Sequence, residues 1–238
     1  VCPQADQEAR RPAWRSRQRH AQGPIRTPAA ALMHPNAAFR AGDDGMVPLL
    51  VREIGFAALF AATPDGPRVA HVPVLLAADD RTLRFHLARG NALTRHLDGI
   101  TALAVVQGPD AYVSPADYGD DAQVPTWNYV AVEMEGRVRR TDRDALIALL
   151  DDLSAAHEGR IGADPPWTRA KMDAAAFGRM VDAIVGFELD ISGWRTTFKL
   201  SQNKSPALAA RVQSALAARG HGALAHLMAH LAQDRGDI

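Results

Sequence analysis

The sequence predicts an α+β, β-rich protein: a small closed antiparallel barrel with peripheral helices and a helical C-terminal region. Three observations lead there. Around six segments between residues 55 and 140 read as strands, several with apolar and polar positions alternating. Tight turns join them, with one short helical stretch between, as in a barrel closed on itself. Beyond Thr141 the apolar spacing becomes helical and returns to strand once, at "VGFELDISGW".

Each element has its own signal. In "DDGMVPLLVREI" Asp43 or Asp44 is the expected cap, and Met46, Leu49, Leu50 and Ile54 share one helical face. "GFAALFAAT", "PDGP" and "RVAHVPVLLA" read as strand, turn and strand. In "RTLRFHLA" Leu83, Phe85 and Leu87 alternate with Arg84 and His86, which leaves Arg84 facing solvent. "NALTRHLDG" reads as a short helix capped by Asn91. "ITALAVVQG" is a buried strand, "AYVSP" a short one and "TWNYVAVEMEGRVRRT" a long one. "DRDALIALLDDLSAAHE" starts a helix near Asp142 with Leu146, Leu149, Leu150 and Leu153 on its apolar face, and "TRAKMDAAAFGRMVDAI" is a second helix. Two amphipathic helices close the chain, the first capped by Ser205 with Pro206 at its first position.

Composition narrows the function. The chain has 238 residues, with 27 Lys plus Arg against 27 Asp plus Glu, so its formal charge is zero. Such a chain has no global attraction for nucleic acid, although a local patch remains open. Its one cysteine, Cys2, cannot form an intramolecular disulfide, which fits a reducing cytoplasm. No apolar run approaches the ~20 residues of a membrane span. Residues 1–32 are rich in Arg and Pro and poor in aliphatic side chains, so they are expected to be disordered and dispensable. That segment reads either as a basic arm for nucleic acid or as an extension ahead of a natural start at Met33. Residues 33–204 form the expected barrel domain with inserted helices, and 205–238 the helices that pack on it.

The common catalytic signatures, the P-loop, Gly-x-Gly-x-x-Gly, Gly-x-Ser-x-Gly and paired cysteines, are absent from the sequence. Four stretches carry the candidate binding residues. In "RFHLARGNALTRHL" a strand ending in His86 enters a turn and a helix capped by Asn91, so Arg89 and free backbone N–H groups could seat a phosphate. The bland alternative is a strand–turn–helix with a solvated Arg89. In "RVAHVPVLL" Pro73 bends or blunts a strand near His71, which exposes backbone polar groups to a heterocycle or merely protects an edge. Lys199, Ser201, Gln202, Asn203 and Lys204 form a dense polar run in "FKLSQNK", beside Trp194. In "VPTWNYVAVEMEG" Trp127, Asn128 and Tyr129 crowd the mouth of a strand, as a wall for a flat ring or as a subunit seam.

Taken in order, "HVP", "HLARGN", "QGPDAYVSPADY", "VPTWNYVAVEMEG" and "FKLSQNK" resemble the PaiB-type proteins, described as FMN-binding negative transcriptional regulators. The resemblance runs from about Met33 to the last helix. It implies a six-stranded Greek-key split β-barrel that dimerises, with FMN sites at the subunit interface. It also implies His86, Arg89 and Asn91 near the flavin phosphate, with Trp127, Asn128 and Tyr129 beside the ring. His71, Lys199, Ser201 and Gln202 complete the expected cofactor set. No metal site is expected, and catalytic residues are not assigned. The implied activity is negative transcriptional regulation by a cytoplasmic homodimer. A flavin-dependent oxidoreductase with an indirect regulatory effect is the first alternative. The second is a haem or tetrapyrrole binder using His71 or His86.

Overall fold

The structure, a computed structural model, describes residues 36–39 and 45–234. The Arg/Pro-rich segment 1–32 and the Asp43/Asp44 cap lie outside the described residues. Six strands make the barrel: β1 (Phe56–Thr63), β2 (Gly66–Leu76), β3 (Thr82–Ala88), β4 (Thr101–Val113), β5 (Thr126–Arg140) and β6 (Ile184–Lys199). They close in the order β1-β2-β3-β6-β5-β4, every pair antiparallel. The expected six-stranded, β-rich α+β barrel is what the chain forms.

Two seams of this barrel are short. β1 meets β4 only through Ala58–Phe60, and β2 meets β3 only through Val74–Leu76. The β1–β2 hairpin is therefore a flap fastened at two edges to the long sheet β3-β6-β5-β4. Pro73 sits where β2 begins to pair with β3, so its missing N–H falls on an edge segment. Inward positions follow the period of two: Leu83, Phe85, Val132, Met134, Leu189 and Phe198 are all buried. Phe85 and Phe187 stack across β3 and β6 with centroids 5.6 Å apart. Each such side chain contributes roughly 1.5–3 kcal/mol by leaving water. Gly136 sits at the irregularity between β5 and β6, where a Cβ would lie 2.0 Å from the Asp190 carbonyl oxygen. Only glycine fits there.

The helices are α1 (Met46–Ile54), α2 (Pro115–Tyr118), α3 (Arg143–Ile161), α4 (Ala174–Asp182), α5 (Pro206–Ala218) and α6 (Gly222–Asp234). In α1 the buried face is Met46, Val47 and Val51, with Leu50 and Ile54 packed beside it; Leu49, expected on that face, is exposed. Asp142 caps α3 through Ala145 N–H, Leu146, Leu149 and Leu153 pack inward, and Ser205 caps α5. The second expected helix is shorter than its pattern: Asp173 caps α4 in mid-segment by accepting from Ala176 N–H at 2.8 Å. "ITALAVVQG" and "AYVSP" are one strand, β4, whose register shifts between Gln107 and Asp110.

Two local expectations fail. "NALTRHLDG" is a run of turns, because only Leu97 N–H to Leu93 O is an i to i−4 bond and the Asn91 carboxamide closes a tight turn on Leu93 N–H. Arg84 does not face solvent: its side chain is 15% exposed and pairs with Asp152 of α3 at 2.6 Å. α3 lies over β3, so that outward position is an inter-element contact.

Candidate functional site

The predicted residues other than His71 gather at two ends of β6. At its start, His86 of β3 stands opposite Gly186, and the chain then turns through Arg89 and Asn91. The Arg89 backbone N–H donates to Ala183 O at 2.8 Å, its Nε to Asp182 O at 2.9 Å and its Nη2 to Ile184 O at 3.4 Å. Carbonyls thus hold the guanidinium from one side while the residue stays exposed. This cation is preorganised by backbone and has no carboxylate on it among the described residues. Burial pushes the His86 imidazole below its ordinary pKa, and its buried Nδ1 has no hydrogen-bond partner among the described residues.

A cleft of about 90 Å³ opens beside Arg89, with Arg140, Thr141 and Arg143 on its wall and Gly186 at its floor. Arg140 and Arg143 were missed by sequence reasoning. The signal was present in "RVRRTDR", a basic run at a strand–helix junction, but which cations meet is decided by tertiary packing.

At the other end of β6, Tyr129 pairs with Lys199. Lys199 Nζ donates to Trp127 O at 2.6 Å and to Thr126 Oγ1, and lies 6.0 Å from the Phe39 ring centroid. Burial, and then the charge of Lys204, lower its pKa. Trp127 is 53% exposed and meets Tyr112 edge-on at 6.2 Å. Tyr112 was not singled out from the sequence.

Between Trp127 and Tyr129 the strand period turns Asn128 inward. It is 1% exposed, its Nδ2 donates to Ser201 Oγ at 3.0 Å, and it also meets Met228 of α6 at 3.7 Å. Asn128 and Ser201 thus join the barrel to the C-terminal helices, on the opposite face from the two aromatic rings. Gln202 folds back on its own strand end, its Nε2 donating to Phe198 O and its Oε1 accepting from Leu200 N–H at 2.6 Å. His71 is apart from both ends, exposed on β2 and stacked on Phe56 with centroids 6.5 Å apart. Phe56 and Phe60 of β1 and Val69 of β2 are exposed as well, so apolar groups stand on the outer wall of the flap. A cavity of about 590 Å³ lies between α3 and residues 162–170 and takes none of these residues.

The donors present fit FMN. An uncompensated arginine at a turn suits its phosphate, and exposed aromatic rings suit its flavin.

Residues 33–193 match the family model described as "Putative FMN-binding domain". The chain is 30% identical over 158 residues to protease synthase and sporulation protein PAI 2 of Bacillus subtilis (strain 168), covering 65% of this chain and 75% of that protein. Among solved structures it is similar to an FAD- and haem-binding protein from Mycobacterium smegmatis, at 18% identity and a TM-score of 0.50, covering 67% of this chain and 72% of the other. The last likeness shows the fold alone. With the family model covering more than half of it, the chain belongs to the PaiB-type FMN-binding family, and its cofactor is FMN.

Proposed function

We propose that the chain is a cytoplasmic homodimer that binds FMN across its subunit seam and acts as a negative transcriptional regulator. The observation that carries the binding mode is the separation of the predicted residues. From Gly186 to Lys199 β6 runs 13 residues, which is about 40 Å of strand contour. The phosphate-type residues and the ring-type residues of one chain are thus far apart along one strand. A two-fold partner brings the Arg89 end of one chain to the Trp127 end of the other. The exposed apolar groups of β1, β2, β4 and β5 supply the seam, on the order of 2,000 Å² in total.

In this arrangement Arg89 receives the phosphate, Asn91 fixes the turn that presents it, and Trp127 and Tyr129 of the partner subunit flank the ring. His86 lies deeper and stays neutral at physiological pH. Bound FMN would supply redox chemistry; the chain's own residues orient it and exclude water from its ring. The regulatory role is supported by the family resemblance and by the sporulation role in the name of the Bacillus subtilis relative. A zero formal charge favours regulation through a local patch or a protein partner over broad DNA attraction.

Purified protein examined by absorption and light scattering tests the reading. The expected result is a dimer mass with flavin bands, or a colourless dimer that gains them on adding FMN. A monomer mass, a haem Soret band, or no binding of added FMN would overturn it.

A further inference from the structure

The cleft beside Arg89 is built from three separate segments: the turn after β3, the β5–α3 junction and the start of β6. The first contributes Arg89 to its lining, and the second Arg140 and Arg143. At about 90 Å³ the cleft exceeds the ~30 Å³ share of one water. It is far below the ~300–1,000 Å³ of a whole small-molecule pocket. It takes a single compact group.

Its charge favours an anion. Arg143 pairs with the Asp182 carboxylate and donates to Gly178 O at 3.3 Å. Asp142 spends its carboxylate on the cap of α3, accepting from Ala145 N–H at 2.8 Å. The Arg140 guanidinium makes no hydrogen bond or ion pair among the described residues, while its backbone N–H is held by Asp98 Oδ1 at 2.9 Å. Three guanidiniums line the cleft against one carboxylate, Asp142, while Asp182 and Asp98 stand outside the lining, on Arg143 and on the Arg140 backbone N–H. The floor needs glycine: a Cβ on Gly186 would lie 2.4 Å from Thr141 Oγ1 and 3.2 Å from Leu146 Cβ. Thr141 Oγ1, buried and without a hydrogen-bond partner among the described residues, lines the cleft beside that glycine, and His86 Nδ1, likewise unpartnered among them, belongs to the strand neighbour of Gly186 outside the lining. An orphaned polar atom is costly in a folded chain, and an anion in the cleft would accept from the Thr141 hydroxyl.

We infer that Arg140 and Arg143 join Arg89 in a three-arginine seat for the phosphate of FMN. The inference rests on the reading that FMN is bound with its phosphate at Arg89, and adds to it the cleft and two residues. Arg140 carries the free charge of the seat. Arg143, held by Asp182, shapes the wall.

The test is flavin binding by the full-length protein, followed by fluorescence quenching, with FMN and riboflavin compared for each variant. Arg140→Ala should weaken FMN about ten- to a hundredfold, the worth of one charge-assisted hydrogen bond, and leave riboflavin unchanged. Its thermal midpoint should not move, because this side chain bonds to nothing in the fold. Arg140→Lys should recover part of the loss. Inorganic phosphate should compete with FMN on the wild type and less on Arg140→Ala. Arg143→Ala should act in the same direction; if it unfolds α3, Arg140→Ala decides alone. If Arg140→Ala binds FMN like the wild type while Arg89→Ala is selectively weakened, the three-arginine seat is wrong and the Arg89 reading survives. If Arg89→Ala itself shows no preference for FMN over riboflavin, both fall.

Discussion

The two ends of β6 use cations in opposite ways. At the Ile184 end, Arg89 is exposed and held by main-chain carbonyls, so its charge is available to a ligand. At the Lys199 end the ammonium is drawn into the structure between Thr126, the Trp127 carbonyl and the Phe39 ring. Burial has already cost it part of its preference for the charged form. Position in a polar motif therefore does not decide availability. What the backbone does with the side chain decides it, which is the ground for proposing the phosphate at the arginine end and the ring at the aromatic end.

Substitutions can break this contrast, beginning inside the barrel. Phe198 is fully buried at the lysine end while Trp127, nearby on the neighbouring strand, is 53% exposed. Phe198→Ala should cost about 3–5 kcal/mol of stability in denaturant unfolding. Trp127→Ala should cost little in folding and should instead weaken FMN and riboflavin alike. If Trp127→Ala unfolds the chain, the ring is structural and the aromatic end has been misread.

Arg89→Ala sharpens the other end. It should weaken FMN by about 1.5–3 kcal/mol and leave riboflavin nearly unchanged, as read by titration. Arg68, exposed and with its side chain donating among the described residues only to Pro67 O at 3.0 Å, is the control and should have no effect. Asn128→Ala should destabilise the fold by about 1–3 kcal/mol, since Ser201 loses its buried partner. Its effect on flavin should be no larger than that loss explains; a selective loss of FMN binding without destabilisation would return Asn128 to the ligand.

The smallest effect is a pH slope. His86 is held below its ordinary pKa of 6.5 by burial, so the folded chain keeps it neutral. Its contribution to stability is fully present above the unfolded value and is lost as the pH falls from there through the folded one. The thermal midpoint of the wild type should fall relative to that of His86→Gln as the pH drops below about 6. Parallel curves would mean that His86 does not titrate differently in the fold.

Much of this was legible in the residues. The alternation in "RTLRFHLA" and "VAVEMEGRV" gave β3 and β5 with the correct inward faces. The same period of two, applied to "TWNY", separates Asn128 from Trp127 and Tyr129, so its inward direction was available in principle. Other features depend on tertiary packing. Pro109 reads as a strand break, yet β4 continues past it because β5 pairs on both sides of the irregularity. The Arg140 and Arg143 wall of the cleft is set by where α3 leaves the barrel, which no local pattern encodes.

In the proposed dimer each FMN site joins the arginine end of one chain to the aromatic end of another. Mixed dimers of an Arg89→Ala chain with a Trp127→Ala chain test it most directly. In such a dimer one composite site carries both changes and the other carries neither. One FMN per mixed dimer should then bind at wild-type affinity, although each homodimeric variant binds weakly. If the mixed dimer shows only the two weakened affinities, each site lies within a single chain, and the composite arrangement is contradicted.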